Sequence, residues 1–150
     1  MTKGESHVGG GAQSARAWVE AVLGARVVGA PELLQELWSG YGRIERFTMD
    51  SGAASTVILK AVEPPTEDRD HPRGWGTDRS HARKIRSYEV EARFYGSLAG
   101  RLVGEARVPR YVGGEVSDQG SFMLLEDLDA AGFGARRQTV TDEELGACLE

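Results

Sequence analysis

Cysteines, long apolar runs and a basic charge excess are scarce or absent in this 150-residue sequence. The one cysteine, Cys148, excludes an intramolecular disulfide and a Cys-rich zinc site, and it fits a reducing cytoplasm. No apolar run approaches the roughly 20 residues that span a bilayer. The formal net charge of −5 argues against nonspecific nucleic-acid binding. We therefore expect a cytoplasmic protein without a nucleic-acid or membrane partner.

The apolar content of 40% is typical of a folded protein, and the length suits one domain with its own core. Residues 1–13 are rich in glycine and polar side chains, lack the apolar core of a signal peptide, and are predicted to form a disordered tail. We expect residues 14–128 to form one lobe, interrupted at 63–80 by a long loop rich in proline, glycine and charge. Residues 129–150 are predicted to leave this lobe and begin another.

Local patterns predict the elements of the first half of the lobe. A helix is expected at 14–23 and a short helical turn at 31–34. Strands are expected at 43–49 and 55–62, and they are joined by a hairpin turn at 50–52. The segment 55–62 is the clearest strand of the sequence, since it is almost continuously apolar and contains a single lysine.

The second half begins with a predicted helix at 81–102, whose apolar residues recur every four positions. A strand ending in a glycine turn at 113–114 and a buried strand at 121–128 follow. A capping box at 141–144 opens the last helix. We expect the order helix, three strands, helix, two strands and helix, in which one of the first three strands has no assigned residues. This order predicts an α+β fold with a mainly antiparallel five-stranded sheet and one packed helix.

The last predicted helix has a start signal but no stop signal, and the sequence ends soon after it begins. An isolated helix of this length is marginal in water. We therefore expect the sequence to be an N-terminal fragment of a longer protein, with this helix as the first helix of a missing C-terminal lobe. A natural, frayed C-terminal helix is the alternative.

Lys60 lies within the apolar strand at 55–62. Because burial of an unpaired ammonium is expensive, this lysine needs an anionic partner or a water-filled cleft. Glu89 and Glu91 of the next helix lie about 200° apart around its axis, so only one of them faces the sheet. Glu91 is the inward candidate, because it shares its stripe with Tyr88, Phe94, Tyr95 and Leu98. The alternative is a partly exposed lysine at a strand edge.

Two glycines, Gly40 and Gly42, directly precede the strand at 43–49. Glycine permits positive φ and close approach of the backbone to a ligand, and the N–H groups of such a loop can cradle phosphates. Ser39 adds a hydroxyl donor. A plain hairpin turn has the same pattern, so the loop alone leaves both interpretations open.

Basic residues and histidines are frequent between positions 69 and 86. We interpret the basic residues as a solvated loop and helix face, with anion binding as the alternative. His71 and His81 lack a third ligand at a recognisable spacing, so we predict no metal site in this sequence.

Five segments in this order resemble the N-terminal lobe of protein-kinase-like enzymes. The resemblance extends over residues 33–150 and is closest to the aminoglycoside phosphotransferase, choline kinase and ecdysteroid-kinase-like enzymes, which phosphorylate small molecules. The segments that carry it are LWSGYGRI, VILK, HPRGWGTDRSHARKIRSYEVEARFY, VPRYVGGE and MLLEDLDAAGF.

The resemblance implies roles for three parts of the chain. Lys60 would contact the α- and β-phosphates of ATP, and Glu91 would hold Lys60 as its ion-pair partner. A loop that covers the phosphates would consist of Ser39, Gly40, Tyr41 and Gly42. The hinge between the lobes, whose backbone groups bind adenine, would consist of Leu125, Glu126, Asp127 and Leu128.

The function implied is transfer of the γ-phosphoryl group of ATP to a hydroxyl of a small, choline- or aminoglycoside-like acceptor. Mg²⁺ would accompany ATP, with its ligands and the catalytic aspartate in the missing lobe, so residues 1–150 alone are expected to be inactive. Substitution of Lys60 by alanine is predicted to weaken ATP binding and nearly abolish turnover in the complete enzyme. A non-catalytic nucleotide-binding or interaction module, or a purely structural domain, is the alternative.

Overall fold

An antiparallel sheet with helices packed on it forms the described part of the chain. The computed structural model describes residues 10–50, 55–64, 78–102, 107–117, 120–134 and 139–147. Within these residues the elements are α1 (Gly10–Leu23), β1 (Val27–Glu36), β2 (Gly42–Met49), β3 (Thr56–Val62), α2 (Asp78–Ser97), β4 (Tyr111–Ser117), β5 (Gly120–Glu126) and α3 (Asp142–Ala147). The strands form one sheet in the order β1-β2-β3-β5-β4, with antiparallel neighbours throughout. The predicted α+β class and five-stranded antiparallel sheet are confirmed.

The two faces of the sheet differ because side chains alternate along each strand. In β3, Val57, Leu59 and Ala61 are buried on one face, whereas Ile58 and Lys60 lie on the other. α1 covers the first face, and α2 reaches the second through its contact with Lys60. The core of the first face consists of Ala15, Val19, Val27, Phe47, Met49, Val57, Leu59, Ala61 and Leu124.

The helix boundaries differ from those predicted. α1 begins at Gly10, so residues 10–13 of the predicted tail are helical, and residues 1–9 lie outside the described residues. α2 includes 78–80 of the predicted loop, of which 65–77 also lie outside the description. The second helix ends at Ser97 rather than 102, because the chain continues as a short 3-10 turn over Ala99–Arg101. An apolar spacing of three to four residues does not distinguish such a turn from a last α-helical turn.

The short helical turn predicted at 31–34 is wrong, since β1 runs through Pro31. A proline is compatible with this strand because β1 is at the edge of the sheet, where no further strand needs its N–H. The pairing of β1 with β2 is irregular between Val28 and Glu32. Gly29 lies in this irregular part with a φ of 70°, a value that favours glycine.

The glycine turn predicted at 113–114 is also wrong, because both glycines pair within β4, Gly113 with Leu124 and Gly114 with Met123. The lack of a side chain at these positions makes room for neighbouring residues, and the chain does not reverse there. A Cβ on residue 113 would lie 3.1 Å from Cγ1 of Val22, and one on residue 114 would lie 2.5 Å from the Tyr111 hydroxyl. Glycine in a strand therefore marks close packing here.

The capping box of the last helix is confirmed. The backbone N–H of Glu144 donates to Oγ1 of Thr141 at 3.2 Å, and the N–H of Thr141 donates to Oε2 of Glu144 at 2.9 Å. This reciprocal pair begins α3 at the predicted position. None of the helices in the described part of the chain is long and apolar enough to cross a membrane.

Candidate functional site

Lys60 lies near the centre of the sheet. It pairs with Ile44 of β2 on one side and with Met123 of β5 on the other. Its side chain is only 14% exposed. The alternative of a lysine at a strand edge is therefore wrong, since β3 has a hydrogen-bonded neighbour on both sides.

Glu91 is the anionic partner of Lys60. Nζ of Lys60 and Oε2 of Glu91 are 2.5 Å apart, and the ammonium also lies 5.2 Å from the ring centroid of Tyr88. Glu89 instead pairs with Arg86 at 3.2 Å on an exposed side of the helix. Of the two glutamates, the inward one is thus the one that the helical spacing predicted. Burial, and then the charge of Glu91, raise the pKa of Tyr88.

The ion pair with Glu91 uses only one of the N–H donors of Lys60. A lysine ammonium has three N–H groups, and the described residues provide one hydrogen-bond acceptor for them, the Glu91 carboxylate. The Glu91 side chain is itself 36% exposed, so the pair is in contact with solvent. An oriented cation with unused donors can bind a further anion.

The glycine loop closes tightly between β1 and β2. The N–H of Leu37 donates to the carbonyl of Gly42 at 2.8 Å, and Trp38–Gly40 form a 3-10 turn in which Gly40 has a φ of 71°. Gly42 has a φ of 137°, and a Cβ there would lie 2.0 Å from the carbonyl oxygen of Ala61. The close approach of β3 therefore explains Gly42 without a ligand. The side chain of Ser39 lies outside the described part of the structure, and the phosphate role of the loop stays a prediction.

Tyr41 fixes this loop to α2. Its side chain is buried, its hydroxyl lies 2.5 Å from Nδ1 of His81, and Lys84 Nζ lies 4.6 Å from its ring centroid. Burial raises the pKa of Tyr41. Sequence reasoning missed His81 and Lys84 as partners of the loop. The available signal was their helical spacing from Tyr88 and Glu91, which puts all four on neighbouring turns of one side of α2.

The predicted hinge segment at the end of β5 has its side chains occupied by the protein. The Glu126 carboxylate accepts from Nη2 of Arg107 at 2.8 Å and from the N–H of Arg110 at 3.0 Å. The hydrogen bond from the Arg110 backbone is the main cause that lowers the pKa of Glu126. Burial alone would raise it, but Arg107 and the charge of Arg110 add to the lowering. Leu125 is buried in β5, and the carbonyl of Leu128 accepts from the N–H of Phe133 at 2.8 Å. Recognition of a base by backbone groups of this segment stays a prediction.

Asp127 is bound by Arg46, a residue that sequence reasoning missed. Nε of Arg46 lies 2.7 Å from Oδ2 of Asp127, and Nη2 lies 3.3 Å from Oδ1. The same guanidinium donates to Glu32 of β1 at 2.8 Å and to Asp129. Burial alone would raise the pKa of Asp127, but the hydrogen bonds and charge of Arg46, together with the other hydrogen bonds to this carboxylate, outweigh burial and lower it. The only signal in the sequence was that Arg46 lies two positions after Ile44, which puts both side chains on the same face of a strand.

Lys60 and Arg46 lie on the same face of the sheet, in consecutive rows of cross-strand pairs. Ile44 and Lys60 form one row, and Arg46, Ile58 and Leu125 form the next. Rows on one face repeat at roughly 7 Å along a strand. We call these five residues the cleft face: an apolar surface of isoleucine and leucine with a cation in each row.

No metal site accompanies the cleft face in the described residues, which contain no group of three or more His, Cys, Asp or Glu side chains suited to hold an ion. His81 is engaged with Tyr41, and His71 lies outside the description. We compared the chain with protein-family models, with curated proteins and with solved structures, and none of them matches it. The kinase resemblance of the sequence therefore stays a hypothesis.

Proposed function

We propose that this chain is the ATP-binding lobe of a cytoplasmic kinase that transfers a phosphoryl group to a hydroxyl of a small molecule. The observation that carries the proposal is the Lys60–Glu91 ion pair between the central strand and α2. A loop with glycines at 40 and 42 lies next to the same helix through Tyr41. A five-stranded antiparallel sheet with a helix that supplies a glutamate to its central lysine agrees with the architecture that the sequence resemblance implies.

The pair suits a nucleotide phosphate for a physical reason. Phosphoryl transfer depends mostly on positioning and on neutralising charge, so an enzyme needs a cation whose place is fixed before the substrate arrives. Glu91 fixes the ammonium of Lys60 without using all of its donors. Charge-assisted hydrogen bonds to phosphate oxygens are about twice as strong as neutral ones.

The base of the nucleotide is assigned to the apolar part of the cleft face. Ile44 and Ile58 are half-buried and lie diagonally across from each other on β2 and β3, which gives a flat ring an apolar wall. Leu125 continues this wall toward the end of β5, where the backbone of the proposed hinge begins. The phosphates would then extend toward Lys60, which lies opposite Ile44.

Mg²⁺ would accompany ATP in this reaction and screen the charge of its phosphates. We assign no residue to the ion, since the described residues hold no cluster of metal ligands. The role of this lobe is confined to binding: Lys60 holds phosphate oxygens, Glu91 orients Lys60, and the apolar residues of the cleft face exclude water from one side of the base.

Binding of ATP to the full-length protein, measured by equilibrium dialysis, tests the proposal. Lys60→Met and Glu91→Gln should weaken ATP binding, the former by roughly 10–100-fold, because a charge-assisted hydrogen bond contributes about 1.5–3 kcal/mol. Glu89→Gln is the matched control, since it removes a carboxylate two positions away that pairs only with Arg86 among the described residues. Equal affinities of wild type and Lys60→Met, or no ATP binding at all, would contradict the proposal.

Transfer of labelled γ-phosphate distinguishes an enzyme from a binding module. Choline and aminoglycosides are the acceptors to test first, with the complete protein. ATP binding without transfer to any acceptor would favour the non-catalytic nucleotide-binding module that the sequence also allows.

A further inference from the structure

We propose that Arg46 is a positioning residue for base recognition, because it holds the proposed hinge segment in place through Asp127 and Asp129 without touching the nucleotide. This role rests on the proposed function, and it gives Arg46 control of the part of nucleotide affinity that depends on the base.

Two side chains hold the end of β5: Glu126, which accepts from Arg107 and from the N–H of Arg110, and Asp127, which leads into the proposed hinge. The last register pair between β3 and β5 joins Val57 to Glu126. Beyond it, the chain turns at once: the N–H of Asp129 donates to Oδ1 of Asp127 at 3.1 Å, and the N–H of Ala131 donates to the carbonyl of Asp127 at 3.1 Å. The orientation of the Asp127 carboxylate therefore sets the path of the residues that follow the sheet.

Arg46 sets the orientation of that carboxylate. It makes two hydrogen bonds to Asp127 and one to Asp129, and the Asp127 side chain is only 4% exposed. A third carboxylate, that of Glu32, holds the far side of the guanidinium at 2.8 Å. Arg46 thus links β1, β2 and the segment after β5.

The chemistry requires arginine at this position. A guanidinium is a planar fork that binds a carboxylate through two parallel hydrogen bonds, whereas a lysine ammonium acts as a point charge. Lysine at position 46 would keep the charge but lose the fixed angle between Asp127 and Asp129. Without any cation, the two carboxylates would repel each other and displace the segment.

The test compares ATP with inorganic tripolyphosphate as ligands of the full-length protein. In Arg46→Lys, ATP binding should weaken roughly tenfold, because a misplaced hinge forfeits its hydrogen bonds to the base. Binding of tripolyphosphate, which has no base, should stay within about twofold of wild type because Lys60 and Glu91 are unchanged. A purely structural role would weaken both ligands alike.

Arg43→Lys is the matched control. Arg43 belongs to the same strand but to the opposite face, where it pairs with Glu45 at 2.9 Å and Glu63 at 3.2 Å. It should change neither affinity. If Arg46→Lys fails to fold, Asp129→Asn removes one partner of Arg46 at a more exposed position and should weaken ATP selectively in the same way.

The outcomes separate this inference from the proposed function. Selective loss of ATP affinity in the Arg46 variant supports both. Equal loss of both ligands, or no loss of either, overturns the inference while ATP binding by the wild type still supports the proposed function. A wild type that binds neither ligand overturns the proposed function and the inference together.

Discussion

Lys60 and Arg46 are cations on one face of neighbouring strands, but their surroundings differ. Arg46 donates to three carboxylates, and its side chain is 18% exposed. Lys60 donates to one carboxylate, which is in contact with solvent. A cation whose donors are mostly used by the protein holds structure together, whereas a cation with one oriented partner retains capacity for a ligand. The comparison therefore predicts that Arg46 mainly stabilises the fold and that Lys60 mainly serves ligand binding.

Arg46→Met should have the largest effect on stability. The substitution leaves Asp127 buried without its cation, and breaking a buried pair in this way costs about 3–5 kcal/mol of unfolding free energy. Urea denaturation followed by circular dichroism measures it. Arg26→Met removes an exposed arginine from its 3.0 Å pair with Asp50 and should cost less than about 1 kcal/mol. Equal losses in the two variants would show that the Arg46 cluster, in which Arg46 binds Glu32, Asp127 and Asp129, contributes no more stability than an exposed ion pair.

Acid should weaken the Arg46 cluster next. The folded state lowers the pKa of Asp127 from its ordinary value of 3.8, so the stability it contributes is present above that value and is lost as the pH falls through the folded pKa. Asp127→Asn should cost about 1.5–3 kcal/mol near neutral pH, and its deficit relative to wild type should shrink in acid. Unfolding curves from about pH 6 to about pH 2 measure this convergence.

Arg46 also provides the control for the acid prediction. In an Arg46→Met background the largest contribution that lowers this pKa is removed while burial still raises it, so the deficit of Asp127→Asn should no longer shrink in acid. A deficit that stays constant with pH in both backgrounds would refute the assignment of acid sensitivity to this pair.

Lys60→Met should have the smallest effect on stability, less than about 1 kcal/mol, because its partner Glu91 remains hydrated when the ammonium is removed. The same variant should bind ATP much more weakly, so stability and binding change independently at this site. Chemical denaturation and dialysis of one preparation compare the two quantities. A stability loss as large as that of Arg46→Met would make Lys60 a structural cation and remove the contrast between the sites.

The local patterns of the sequence predicted features that depend on near neighbours. The capping box of α3 and the strand at 56–62 both follow from residues within a few positions of one another. The choice of Glu91 over Glu89 followed from helix geometry alone, because residues two positions apart on a helix point to opposite sides of it. Such inferences need only the period of an element.

Glycines and prolines were the least reliable guides, because each has several uses. Gly113 and Gly114 make room for Val22 and Tyr111 within a strand, where sequence reasoning predicted a turn. Pro31 lies in an edge strand in place of the expected helical turn. Gly42 avoids the Ala61 carbonyl, a contact 19 positions away along the chain. The sequence shows where such residues occur, but the reason comes from the chain that packs beside them.

The sequence by itself determined the α+β class, the lysine within an apolar strand and the helix face that carries its glutamate, since these depend on periodicity and on the cost of burying a charge. Only the tertiary structure decided the strand order that places Lys60 centrally, the anchoring of Tyr41 on His81, and the capture of Asp127 by Arg46 from 81 positions away. These contacts depend on the strand order and register, which the packing of the whole sheet sets and no local sequence pattern specifies.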